Sequence, residues 1–221
     1  MKRERYLTTL LIICISSYIM MFSIGMTAEA EDIVSVTNNN TTSTIRRESV
    51  INDLRTQYLN EKDLIDYILN LTQLSYEECD LIVQGSKNSN INPFIILGVL
   101  KRESNFDPYA VGLAGERGLG QLMENTAKPV AQNLGYEYDP EKLFEPKYNL
   151  ELTITQLSYL YNVYDKDLNK TLTAYNRGQQ GLSDYIKEGK SQYKNPAMSD
   201  YSVAVLKFAY EFKEEFENLT K

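Results

Sequence analysis

The stretch Lys101-Arg102-Glu103-Ser104-Asn105-Phe106-Asp107-Pro108 decides how this chain is read. Just upstream, Asn92-Pro93 offers a helix N-cap and a proline suited to the first helical position. Ile95, Ile96, Val99 and Leu100 follow at helical spacing. Steps of three and four residues return to one side of a helix, so Ile96, Val99, Leu100 and Glu103 share a face. That face is apolar and is expected to point inward. Glu103 stands where it ends, beside a Ser-Asn-Phe-Asp-Pro exit. A carboxyl group in a half-apolar setting has its ionised form disfavoured, so it can keep a proton near neutral pH. Taken alone, a Glu in a last helical turn is more often solvated, and Lys101 or Arg102 could pair with it.

The segments around it change that balance. Gly112, Gly115, Gly118 and Gly120 crowd into nine residues within a run that ends Gly118-Leu119-Gly120-Gln121-Leu122-Met123. Glycine permits positive φ and close backbone approach, so a ligand chain can lie against exposed peptide groups while Gln121 and Met123 project into a cleft. Farther on, Ala174-Tyr175-Asn176-Arg177-Gly178 places a tyrosine and a carboxamide before a glycine that reads as a helix C-terminus. Hydroxyl and amide groups suit hydrogen bonding to a carboxyl group or to sugar hydroxyls. The plainer alternative for each is a connecting loop and a buried tyrosine.

The rest of the described pattern is helical. Val50, Ile51, Leu54 and Tyr58, then Leu64, Ile65, Ile68 and Leu69, recur at three- and four-residue spacing. Ser75-Tyr76-Glu77-Glu78 is a capping box ahead of Leu81, Ile82 and Val83. Further helices are expected over 126–133, 149–163, 170–175 and 201–218. In the last, Tyr201, Val205, Phe208, Phe212 and Phe216 form one apolar stripe that reads as core packing. The segment 137–148 carries two prolines and reads as a loop, and 178–196 reads as irregular. No period-two run stands out. The fold class predicted is all-α: a helical domain over 75–221 with a short helical extension over 45–74.

Composition narrows the chemistry. The 221 residues contain no histidine, which excludes His-dependent nucleophiles and His-based zinc sites. Acid–base work falls to Asp, Glu, Lys, Tyr or Cys. Neither a metal nor a cofactor is expected. With 17 tyrosines and no tryptophan, Tyr and Phe must supply any stacking surface. Residues 1–30 read as an export signal or an N-terminal membrane anchor: a basic start at Lys2, Arg3 and Arg5, an apolar run over 7–26, and Ala28-Glu29-Ala30 as a cleavage pattern. Residues 31–44 include a polar run of Thr, Asn and Ser and read as a flexible tether. Cleavage after Ala30 would leave Cys79 as a single thiol. The net charge of −7 argues against nucleic acid as a partner.

The ordered set of motifs resembles the soluble lytic transglycosylases. That family's pattern runs Glu-Ser, then Gly-x-x-Gly-Leu-x-Gln-x-Met, then Ala-Tyr-Asn-x-Gly. It is matched by Glu103-Ser104, by Gly115 to Met123 and by Ala174 to Gly178. The resemblance covers roughly residues 78–210. It implies a lysozyme-like (goose-type) helical fold, peptidoglycan glycan strands as substrate, and cleavage between N-acetylmuramic acid and N-acetylglucosamine. It also implies Glu103 as sole acid and base, forming a 1,6-anhydro ring. Ser104, Gly118, Gln121, Met123, Tyr175 and Asn176 would then bind the glycan or orient Glu103. The resemblance leaves open a muramidase that uses a second carboxylate such as Glu116, and a weakly active wall-binding assembly factor. An exported location, in the wall or on the outer membrane face, fits all three readings. Membrane anchoring through 7–26 and a secretion or conjugation machine remain open as partners. The pattern is departed from in three places: Gly112 replaces a frequent serine, Glu116 a small residue, and Ala197-Met198 a Glu-Thr pair.

Overall fold

A computed structural model describes residues 60–220. The export segment 1–30, the tether 31–44 and the first half of the helical extension, 45–59, lie outside the described residues. Seven helices and one 3₁₀ turn make up the described chain: α1 (60–72), α2 (Tyr76–Ser89), α3 (Pro93–Ser104), α4 (Glu124–Asn133), the 3₁₀ turn (Pro140–Phe144), α5 (Pro146–Val163), α6 (Leu168–Lys187) and α7 (Asp200–Leu219). No strand is present among the described residues, only two isolated bridges joining Arg117 to Val111 and Leu122.

Local chemistry sets the helix starts. Ser75 and Glu78 form the expected capping box at α2. Asn92 caps α3 by accepting from the Phe94 N–H at 2.9 Å, with Pro93 at the first position. A second capping box, between Ser199 and Ser202, starts α7. It extends that helix one residue ahead of the expected 201.

Helix α3 is the axis of the domain. Every residue from Phe94 to Leu100 is buried. Its closest neighbour is α7, whose Tyr201, Val205, Ala209 and Phe212 face it. The crossing is tight: a Cβ on Gly98 would stand 2.6 Å from the Val205 carbonyl oxygen, so only glycine lets the two backbones meet here. Ile65 and Ile68 of α1 and Ile82 and Val83 of α2 close the same core. Each such side chain contributes about 1.5–3 kcal/mol on burial.

Two smaller clusters flank this core. Leu122, Ala127, Val130, Leu143 and Leu152 pack between α4, the 3₁₀ turn and α5. Leu160, Ala174, Leu182 and Ala197 pack between α5, α6 and the segment before α7. Tyr175 borders all three clusters.

Three sequence expectations need correction. The 137–148 loop contains the 3₁₀ turn and the first turn of α5, because Asp139-Pro140 and Glu145-Pro146 each place a proline at a helix start. Helix α4 begins at Glu124, two residues early. Gly178 breaks α6 without ending it: its φ of 72° and ψ of 167° interrupt the helix, which then resumes to Lys187. The resumed turns persist because Leu182, Tyr185 and Ile186 recur at helical spacing: Leu182 belongs to the third cluster, Ile186 packs against it and Tyr185 is buried. Irregular chain therefore begins only after Lys187. Among the described residues no helix is long and apolar enough to cross a membrane.

Candidate active site

The end of α3, the loop 107–122, α4, α5 and α6 enclose an open cleft of about 720 Å³. Glu103, Glu116, Gln121, Met123, Tyr175 and Asn176 all line it. The first, second and third motifs thus meet in one place, although Glu103 and Tyr175 are far apart in the chain.

Glu103 occupies the position its helical register implied. The apolar face of α3 carries it to the cleft floor, half-buried. Its Oε1 accepts a hydrogen bond from the Tyr201 hydroxyl at 2.5 Å. Burial pushes its pKa up from 4.5 to about 7. The Tyr201 hydrogen bond and the Arg102 charge oppose that rise, and the Glu116 charge adds to it. Tyr201 is itself held protonated, chiefly by burial, so it stays a donor. A carboxyl group poised near 7 can give up a proton and take one back at neutral pH. Arg102 does not pair with Glu103; its guanidinium lies 5.9 Å from the Tyr201 ring centre. Lys101 turns the other way, over Phe106 and toward Asn105.

The glycine loop is pinned from behind. Ser104 Oγ is within hydrogen-bonding distance of two carbonyl oxygens, Leu119 at 2.8 Å and Leu100 at 3.2 Å, tying the end of α3 to the loop. Gly118 has a φ of 72°, and a Cβ there would lie 2.1 Å from the Leu143 carbonyl oxygen. Ser104 and Gly118 therefore shape the wall from behind, outside the set of side chains that line the cleft. Gln121 donates from Nε2 to the Ala110 and Gly118 carbonyls, each at 2.9 Å. Met123 is the N-cap residue of α4 and stays exposed in the cleft. Asn176 is exposed on the α6 wall.

Tyr175 does something other than meet a carboxyl group. Its hydroxyl donates to the Gly120 carbonyl at 2.8 Å, locking the loop to α6, and burial holds that hydroxyl protonated.

In the sequence Asn149 is only the first residue of the helix expected over 149–163. It is the hub of the wall. Fully buried, it donates to the Arg117 and Leu143 carbonyls at 3.0 and 2.9 Å, and accepts from the Gly120 N–H at 2.8 Å. Thr153, one turn along, donates to Asn149 Oδ1 at 3.3 Å. A carboxamide inside an otherwise apolar helix face is the signal that marks such a group. Tyr201 was read as part of a packing stripe; its hydroxyl is what the stripe concealed.

Two departures from the family pattern prove to be one. The Ala114 N–H donates to Glu116 Oε2 at 3.0 Å, seating that carboxylate above Gly112. A Cβ on residue 112 would stand 2.2 Å from the same oxygen. Glu116 thus fills room that a serine at 112 would need. At the third departure, Ala197 is buried and its carbonyl accepts from Thr173 Oγ1 at 2.7 Å. The segment is held by backbone contacts there. Among the described residues no cluster of His, Cys, Asp or Glu could hold a metal ion. Cys79 is buried and its thiol is pushed up to about 11, chiefly by burial, so it stays protonated and unreactive.

A model described as the transglycosylase SLT domain matches residues 80–198. The membrane-bound lytic murein transglycosylase C of Edwardsiella ictaluri is 29% identical over 136 residues, 57% of this chain and 38% of that protein. Its counterpart from Shigella sonnei is 28% identical over the same share of each. The chain spans about two fifths of the length of these curated relatives. In structure, it is similar to the lytic transglycosylase Slt of Pseudomonas aeruginosa, solved as an inactive mutant, with a TM-score of 0.54 and 21% identity over 62% of this chain and 24% of that one. The 70 kDa soluble lytic transglycosylase of Escherichia coli gives a TM-score of 0.53 and 19% identity over 61% and 24%. At these identities the likeness shows the fold, which is the lysozyme-like helical fold expected from the motifs.

Proposed function

The chain belongs to the transglycosylase SLT domain family, and from that premise we propose that it is an exported peptidoglycan lytic transglycosylase with Glu103 as its acid and base. The observation that carries the reading is Glu103 itself. It is a cleft carboxyl group kept protonated near neutral pH by burial and oriented by Tyr201. Its first task is to protonate the glycosidic oxygen between N-acetylmuramic acid and N-acetylglucosamine. The C1–O4 bond breaks, the electron pair leaves with O4, and positive charge develops at C1. The Glu103 carboxylate then takes the proton of the muramic C6 hydroxyl as O6 bonds to C1. The acid is restored and a 1,6-anhydro ring closes, with no water consumed. The relatives named as lytic murein transglycosylases support this reading. Export is supported by the signal pattern of residues 1–30 and by the membrane-bound names of those relatives.

Glu116 supports a second reading, because it brings a further carboxylate into the same cleft. A muramidase would use it to activate water. Its Oε2 is already engaged by the Ala114 N–H, which favours a structural place for it. Mass spectrometry of products from purified peptidoglycan separates the two. The transglycosylase leaves anhydro ends lighter by one water, and Glu116→Gln keeps most activity. Reducing ends, lost in Glu116→Gln, would establish the hydrolase instead.

A further inference from the structure

We propose that Arg177 forms an anion subsite of the cleft, taking a carboxylate carried on the lactyl arm of the muramic residue. This rests on the glycan-cleaving reading above and adds a feature of the substrate to it.

Arg177 precedes the break at Gly178 and lines the same cleft as Glu103. The charged side chains on that lining are Glu103, Glu116 and Arg177, so Arg177 is its cation. Its guanidinium carbon lies 4.7 Å from the Tyr185 ring centre. Stacking of this kind fixes the plane of the guanidinium and leaves its N–H fork to other partners. Among the described residues Arg177 takes part in none of the ion pairs. The Arg177 charge is felt by Asp200, whose carboxyl is held low chiefly by hydrogen bonds to its Oδ1 from the Tyr193 hydroxyl at 2.7 Å and from Gln192 Nε2 at 2.6 Å, and the two residues form no ion pair. Arg117, by contrast, is closed by Glu141 at 2.7 Å. Beside Arg177 on the cleft lining stand two carboxamides, Asn176 and Gln179. Gln179 Oε1 accepts from the Tyr159 hydroxyl at 3.4 Å, which leaves its amide nitrogen as a further donor.

An unpaired, pre-oriented guanidinium flanked by amide donors suits a carboxylate, which it can hold by two parallel hydrogen bonds. Muramic acid differs from glucosamine by a lactyl ether that ends in a carboxyl group. That group is either free or extended by a peptide with carboxylates of its own. The protein carries a net charge of −7, so an anionic strand gains a local attraction only where a cation faces it.

Binding is the measurement, made by calorimetry on the full chain carrying Glu103→Gln so that ligand survives and the result does not depend on turnover. Three solubilised glycan strands are compared: native, stripped of peptide by an amidase, and native with every carboxyl group capped as a methylamide. Adding Arg177→Gln should weaken native strands about tenfold, the size of one charge-assisted hydrogen bond. It should leave capped strands unaffected, and Arg177→Lys should restore part of the loss. Weakening found on stripped strands assigns the lactyl carboxylate, which is an amide wherever the peptide is attached; weakening confined to native strands assigns the peptide. No loss on either native or stripped strands, an equal loss on capped ones, or no measurable binding of either uncapped strand overturns the subsite. Melting temperature controls for folding. Product analysis on the parent protein is independent of all this, so the subsite can fail while the cleavage reading stands.

Discussion

Replacing Glu103 by Gln should remove turnover and stabilise the protein at the same time, and the structure sets the size of the second effect. The folded carboxyl group sits near 7 where an ordinary one sits at 4.5, with burial as the main cause. As pH rises from 4.5 toward 7, the unfolded chain releases a proton that the folded chain keeps, so the parent loses stability across that window. Above about 7 the loss is complete and constant. The gap is worth about 3 kcal/mol at most, and solvent reaching the cleft reduces it to about 1–2 kcal/mol. Gln cannot ionise and can still accept from Tyr201. The variant should therefore match the parent near pH 4 and exceed it near pH 8 by a few degrees in melting temperature, at roughly 2–4 °C per kcal/mol. Its activity on peptidoglycan should fall about 10²–10⁴-fold, because an amide has no proton to deliver. Paired melts at the two pH values with a turnover assay test both halves. Parallel pH–stability curves would refute the buried-acid reasoning; activity within a few-fold of the parent would refute the catalytic assignment.

Other outcomes follow from the same geometry. Tyr201→Phe removes a bond that favours ionised Glu103, so the alkaline limb of the pH–rate profile should move to higher pH and the rate should drop about fivefold; an unmoved limb counts against the pairing. Asn149→Ala leaves the Gly120 N–H and the Arg117 and Leu143 carbonyls without their buried partner, and should cost about 3 kcal/mol or more in urea unfolding. Gly118→Ala combines a positive φ with a clash at the Leu143 carbonyl, so soluble, fully active protein with parental stability would contradict the wall geometry. Chelation by EDTA should leave activity unchanged, since Glu103 chemistry needs no Lewis acid; metal-restored loss would point to a carboxylate site.

What the sequence determined alone is what neighbours within a few residues determine. Helix starts at Ser75 and at Asn92-Pro93 were readable because a cap bonds to amides two or three residues away. The placement of Glu103 at the end of an apolar face followed from the 3.6-residue period, and the three motifs announced a cleft by their order. Helical amphipathicity past Gly178 is equally local, yet a glycine's usual place at helix ends outweighs Leu182 and Tyr185, which the fold buries. The tertiary structure decided everything that depends on distant chain. Tyr201 reaches Glu103 across 98 positions, and Asn149 reaches Gly120 across 29. Gly112 and Glu116 share one volume above a loop whose curvature no local pattern specifies. Burial raises the acid's pKa, and burial belongs to the packed domain rather than to any segment of it. A hydrogen bond between remote groups leaves no periodic trace in either partner, and so Tyr201 reads as core and Asn149 as a helix start, while the fold sets their polar ends against Glu103 and the Gly120 N–H.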